Sequence, residues 1–201
     1  QQSSSKKEYE SFRKNIAKAF ENQIPKEWGE NVSGVKTKLD TNEKVIALTM
    51  DACGSPLGMA YDEKLIDFLK KENIPATLFI NARWIDKNLN TFKTLASNPL
   101  FEIANHGLEH KPASVNGKSI YGLDGSKNIE EFVDEIELNA RKIESITHKR
   151  PKYFRSGTAY YDEVAVKVSN TLHHEVIGFS ILGDAGATYT KEKVENAFLK
   201  A

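Results

Sequence analysis

Two histidines four positions apart, His106 and His110 in "NHGLEH", are the first residues whose types and spacing suggest chemistry. Neutral imidazole is a common ligand for zinc and related divalent metals. On a helical turn this spacing puts both rings on one face, within reach of one ion. Taken alone, the spacing fits a pair of exposed loop histidines equally well. A carboxylate commonly completes a set of two histidines, and Asp51 in "LTMDACGSP" is the best placed. The same Asp is also a natural turn former before Gly54 and Pro56. Cys53, the only cysteine, is either a small buried hydrophobe or a thiolate ligand. Arg155 in "YFRSGTAYYDE" could orient a carboxylate in bidentate fashion or form a surface ion pair. His148, His173 and His174 fall at or beside helix ends and read as structural or solvent-facing.

The elements that must position these groups follow from periodicity. Tyr9, Phe12, Ile16 and Phe20 mark an amphipathic helix over 7–21, and a Gly-, Pro- and Asn-punctuated loop or hairpin follows. From there strands and helices alternate. "KVIALTM", "PATLFIN", "FEIAN", "KYFRS" and "EVIGFSIL" read as strands. "EKLIDFLKKEN", 83–97, 128–147, 162–172 and 190–200 read as helices. The class is α/β with a largely parallel sheet, open or closed into a barrel. Working groups in such folds sit at the carboxyl ends of strands. Asp51, the histidine pair, Arg155 and Asp184 all fall at predicted strand ends.

Composition bounds the alternatives. The chain has 201 residues with 28 basic and 28 acidic side chains, so its net charge is zero. That balance argues against nucleic acid or an anionic membrane as the main partner. No apolar run reaches the ~20 residues of a transmembrane helix, and one cysteine allows no internal disulfide. The polar start "QQSSSKKE" without Met is expected of a trimmed chain or a mature secreted protein. An extracellular or cell-envelope location is the expectation. Residues 1–43 form an N-terminal helix and connector, and 44–201 the main domain.

Four segments together resemble the polysaccharide deacetylases, the NodB homology domain of carbohydrate esterase family 4. "ALTMDACG" resembles the first motif, "IANHGLEH" the second, "YFRSGTAYYDE" the third, and "FSILGDAGATY" stands in the place of the fourth. The resemblance implies an irregular (β/α) barrel and a metal-dependent hydrolase, with a divalent ion, Zn²⁺ by expectation. The implied reaction removes acetyl groups from an N- or O-acetylated polysaccharide of cell-wall or chitin type. It aligns Asp51 with the catalytic base, His106 and His110 with the metal histidines, and Arg155 with the residue that holds the base. Ala52 stands where the family has its metal-binding Asp, so Asp51 is expected to shift from base to metal ligand. The family's fifth motif, which carries the general-acid histidine, has no counterpart up to Ala201. Slow turnover by these 201 residues is therefore expected. Two other readings accompany this one: a degenerate, non-catalytic carbohydrate-binding relative, and a hydrolase of another amide or cyclic imide on the same fold.

Overall fold

The computed structural model describes residues 2–56 and 58–200. Five parallel strands form the main sheet: β1 (Thr49–Ala52), β2 (Ala76–Ile80), β3 (Phe101–Asn105), β6 (Tyr153–Phe154) and β7 (Glu175–Val176), in the order β1-β2-β3-β6-β7. Between β3 and β6 lies a small antiparallel hairpin, β4 (Ser119–Ile120) and β5 (Leu123–Asp124). Its two-residue turn, Tyr121 and Gly122, has positive φ at both positions, as tight hairpins require. The helices are α1 (Gln2–Phe20), α2 (Glu63–Lys71), α3 (Ala82–Lys87), α4 (Leu89–Ser97), α5 (Ile129–Thr147), α6 (Glu163–Thr171) and α7 (Lys191–Leu199). The architecture is an irregular (β/α) barrel.

The curvature is visible in one side chain. β1 and β6 are separated by two strands, which in a flat sheet would place them about 14 Å apart. Yet Arg155, just past β6, bonds Asp51 and Thr49 on β1 at 2.8 and 3.0 Å. Only a sheet rolled toward closure brings these ends together.

Two apolar clusters cover the outer face of the sheet. Phe132, Val133 and Ile136 of α5 meet Phe154, Val164, Val168 and Val176, with Phe12, Ile16 and Phe20 of α1 laid on top. Trp84, Ile85, Phe92 and Leu95 cover Leu78, Ile80 and Phe101 further along the same face. Side-chain caps start the helices. Asp62, Asn81, Asn128, Asp162 and Thr190 each accept a backbone N–H of the first turn.

Several expected elements shrink or split. The strand expected over "KVIALTM" begins only at Thr49, and Val45 and Ile46 are exposed. β7 stops at Val176, so "IGFSIL" continues as irregular chain. The helix expected over 83–97 is two helices that meet at Asn88. The hairpin β4–β5 has no counterpart in the sequence reading, because two-residue strands carry no periodicity. Within the N-terminal connector, Lys36 pairs alongside 176–178: its N–H bonds Val176 O at 2.9 Å, and its carbonyl accepts Gly178 N–H at 2.8 Å.

Candidate active site

Register explains which side chains meet. Ala52, Ile80, Asn105, Phe154 and Val176 form one row across the sheet. Side chains alternate faces along a strand, so Thr49, Asp51 and Cys53 share one face of β1 and its continuation, while Ala52 turns to the other. Ala52 indeed packs on the cluster of Ile80 and Trp84. The residues one step past the row on the neighbouring strands are Asn81, His106 and Arg155. Those last two point to the face of Asp51 and Cys53. The site is thus a ring of strand-end side chains, as expected for this class of sheet.

Arg155 is its anchor. The side chain is 3% exposed, against 33% for Asp51. Nη1 donates to Asp51 Oδ1 at 2.8 Å, Nη2 to Thr49 Oγ1 and Gly178 O, and Nε to Ile177 O. The guanidinium lies 4.2 Å from the Phe79 ring centre. The grip on Asp51 is through one oxygen, not the bidentate pair expected from sequence, because the other donors serve β1 and the 177–178 backbone. Burial pushes the Asp51 carboxyl up, but the neighbouring His106 ring, then the charge of Arg155 and its hydrogen bond, hold it below the ordinary carboxylate range.

The histidine pair does not lie on a helical turn. Gly107 and His110 have φ of +81° and +63°, and the segment is a tight loop past β3. The rings still meet edge to face with centres 4.9 Å apart. His106 is 1% exposed. Its Nδ1 lies 2.9 Å from Arg155 O, and a carbonyl only accepts, so Nδ1 carries the proton. Nε2 is left as a lone pair facing Cys53 Sγ at 3.8 Å and Asp51 Oδ2 at 3.9 Å. Burial lowers the pKa of His106, and it lowers that of His110 to about 3, reinforced by His106 and Arg83. Both rings are therefore neutral, the metal-binding form. The Nε2 of His110 is buried with no hydrogen-bond partner. Burial, then the charges of Asp51 and Asp184, push the Cys53 thiol up to about 12.

Cys53, His106 and His110 each present a donor atom, and these lie within 4.8 Å of one another. No other such trio of His, Cys, Asp and Glu occurs among the described residues. The set suits a divalent ion: two neutral imidazoles, one with an orphaned buried nitrogen, and a soft sulfur. Asp51 stands beside the trio.

Supporting residues escaped the sequence reading. Asn81 Nδ2 donates to His106 O and Gly107 O at 3.1 and 2.8 Å. Asn105 Oδ1 accepts Gly107 N–H, and its Nδ2 bonds Ile136 O and His174. Asn139 Nδ2 donates to Asn105 Oδ1 and Ile80 O. Glu135 accepts the backbone N–H groups of Glu109 and Lys111, fixing the loop between the histidines. Burial pushes the Glu135 carboxyl up to about 7, opposed by those same N–H groups. A signal did exist: Glu135 and Asn139 interrupt the apolar stripe of α5 at helical spacing, where a polar side chain needs a buried partner. Asp184 does not join the site; it is exposed and organises a turn with Gly186 and Thr188. His174 is buried and structural, its Nδ1 2.8 Å from Leu172 O.

Comparison with known proteins agrees with this geometry. The family model described as polysaccharide deacetylase matches residues 38–177. A curated relative, peptidoglycan-N-acetylmuramic acid deacetylase PdaA of Bacillus subtilis, is 22% identical over 167 residues, covering 80% of this chain and 58% of its own length. The solved structure of B. subtilis PdaA superposes with a TM-score of 0.63 at 20% identity, over 83% of this chain and 67% of that one. A CE4 family pseudoenzyme from Bacillus anthracis superposes with a TM-score of 0.64 at 21% identity, over 79% of this chain and 51% of its own. The chain thus spans between half and two thirds of these relatives.

Proposed function

The chain belongs to the polysaccharide deacetylase family, and from that premise we propose that it is a metal-dependent hydrolase that removes acetyl groups from an N- or O-acetylated glycan of cell-wall or chitin type. One observation carries the reading: a carboxylate clamped through one oxygen by Arg155 turns its other oxygen toward the buried, neutral His106, with the half-buried His110 ring beside it. His106 and His110 would hold the ion, Zn²⁺ in this reading. When bound, such an ion polarises an acetyl carbonyl and lowers the pKa of water. The chain's own residues supply the rest. Asp51 Oδ2, ionised at neutral pH, accepts the proton of the attacking water. Arg155 keeps Oδ1 engaged, so only one carboxylate oxygen is available and its direction is fixed. The Arg155 carbonyl holds His106 in the tautomer that leaves Nε2 free. A glycan substrate of this kind places the protein outside the cell or at its envelope, in line with the substrate named for PdaA. No described helix is long and apolar enough to cross a membrane.

The test is acetate release from acetylated chitooligosaccharides and peptidoglycan fragments, before and after chelation and with Zn²⁺ restored. Release that chelation abolishes, Zn²⁺ restores and Asp51→Asn removes is the expected result. A second reading, a non-catalytic glycan binder, is favoured by Ala52 and by the pseudoenzyme among the structural relatives. Tight glycan binding with no acetate release by Zn²⁺-loaded wild type would establish it instead.

A further inference from the structure

Sequence alignment leaves the metal set one carboxylate short at Ala52, but the fold gives that residue no view of the site. Ala52 packs on the outer apolar cluster, whereas Cys53 shares the inner face with Asp51. We propose that Cys53 Sγ is the third protein ligand beside His106 and His110, making a thiolate–imidazole–imidazole centre, and that Asp51 remains with Arg155 as the base. The inference rests on the metal-dependent reading above.

Distances separate the two candidates. For a tetrahedral ion with Zn–S about 2.3 Å and Zn–N about 2.0–2.1 Å, sulfur and nitrogen lie about 3.6 Å apart. Cys53 Sγ and His106 Nε2 are 3.8 Å apart. For a carboxylate oxygen at about 2.0–2.2 Å the corresponding separation is about 3.4 Å. Asp51 Oδ2 stands at 3.9 Å, and Asp51 is further committed through Oδ1 to Arg155. The thiol therefore needs the smaller adjustment. The other two corners are preset. His106 is fixed through Nδ1 with Nε2 turned to the sulfur, and the Nε2 of His110 is buried without a partner. Binding exchanges the thiol proton for the metal bond, the proton leaving to solvent. A sulfur donor also selects softer ions: Zn²⁺, Co²⁺ and Cd²⁺ over Mg²⁺, Ca²⁺ and Mn²⁺.

Because Cys53 is the only cysteine, a thiolate signal has one source. Metal-free protein is titrated with Co²⁺, and binding is followed by equilibrium dialysis and by absorption. Wild type and Asp51→Asn should both show the near-ultraviolet thiolate-to-cobalt charge-transfer band at one equivalent. Cys53→Ser should lose it while keeping its circular dichroism and unfolding midpoint. The wild-type chain provides an independent readout: Zn²⁺ should slow alkylation of its thiol by iodoacetamide, and should fail to do so in His110→Ala. Co²⁺ bound at one equivalent with no such band, and with affinity lost in Asp51→Asn, would overturn the proposal and make Asp51 the ligand. Zn²⁺ bound without any protection of the thiol would overturn it too. No Co²⁺ or Zn²⁺ bound by wild type would sink the metal-dependent reading itself, and this inference with it.

Discussion

Arg155 is a buried charge with every face occupied: a carboxylate, a hydroxyl, two carbonyls and an aromatic ring. A point-charge ammonium cannot replace that fork. Arg155→Lys is expected to lower acetate release at least tenfold and to soften the fold, as read by activity and urea unfolding. Arg155→Met should cost somewhat less than the about 3–5 kcal/mol of a fully buried broken pair, because Asp51 is one-third exposed. Gly107 illustrates a backbone requirement at the same scale. Its φ is +81°, and a Cβ there would overlap Glu135 Oε1. Gly107→Ala should therefore cost more than the about 1–2 kcal/mol of a left-handed alanine, and should weaken Co²⁺ binding by displacing the histidine loop. Gly122→Ala is the control: its φ is similar at +73°, but a Cβ there meets nothing within 4 Å. Equal losses in the two variants would mean that the contact with Glu135 is unimportant.

At the scale of elements, α5 does most of the positioning. Its inner stripe carries both the apolar residues of the core and the two polar side chains that reach the site loops. Its N-cap, Asn128, accepts Glu131 N–H at 2.9 Å. Asn128→Ala should cost about 1 kcal/mol with no effect on metal binding. Asn139→Ala removes the donor shared by Ile80 O and Asn105 Oδ1, both buried, and leaves a void. Its cost should exceed that of Asn128→Ala and approach about 3 kcal/mol, with looser Zn²⁺ binding. Urea unfolding and dialysis of both variants check the order; the reverse order would place the weight of α5 in its cap.

For the whole molecule, stability should depend on mild acidity. His174 is buried between α6 and β3, and burial lowers its pKa from 6.5 to about 4. In the unfolded chain it takes up a proton below about pH 6.5, but in the folded chain only below about pH 4. Between those values the unfolded state binds more protons, so its contribution is fully present above about pH 6.5 and is lost as pH falls toward 4. The full span is worth at most about 3 kcal/mol. His106 and His110 are shifted in the same direction, while the raised Glu135 carboxyl acts in the opposite sense, so the wild-type slope is the balance of these groups. The part due to His174 is the difference between wild type and His174→Gln in urea unfolding at neutral pH and near pH 4.5. Identical pH slopes would remove His174 from this account.

The sequence by itself determined the alternation of strands and helices, and it marked Asp51, His106, His110 and Arg155 as polar groups ending apolar runs. Local periodicity is enough for that, because a strand buried on both faces leaves polar side chains only at its ends. Tertiary structure decided what those residues can do together. Asp51 and Arg155 are 104 positions apart and meet only because the sheet rolls up. The histidines meet across a strained loop, not a helical turn, because Glu135 and Asn105 hold its backbone. Which of Ala52 and Cys53 faces the site depends on β1 continuing through residue 52 in register with β2. A one-residue slip would exchange them, and pairing with a distant segment, not any local preference, fixes that register.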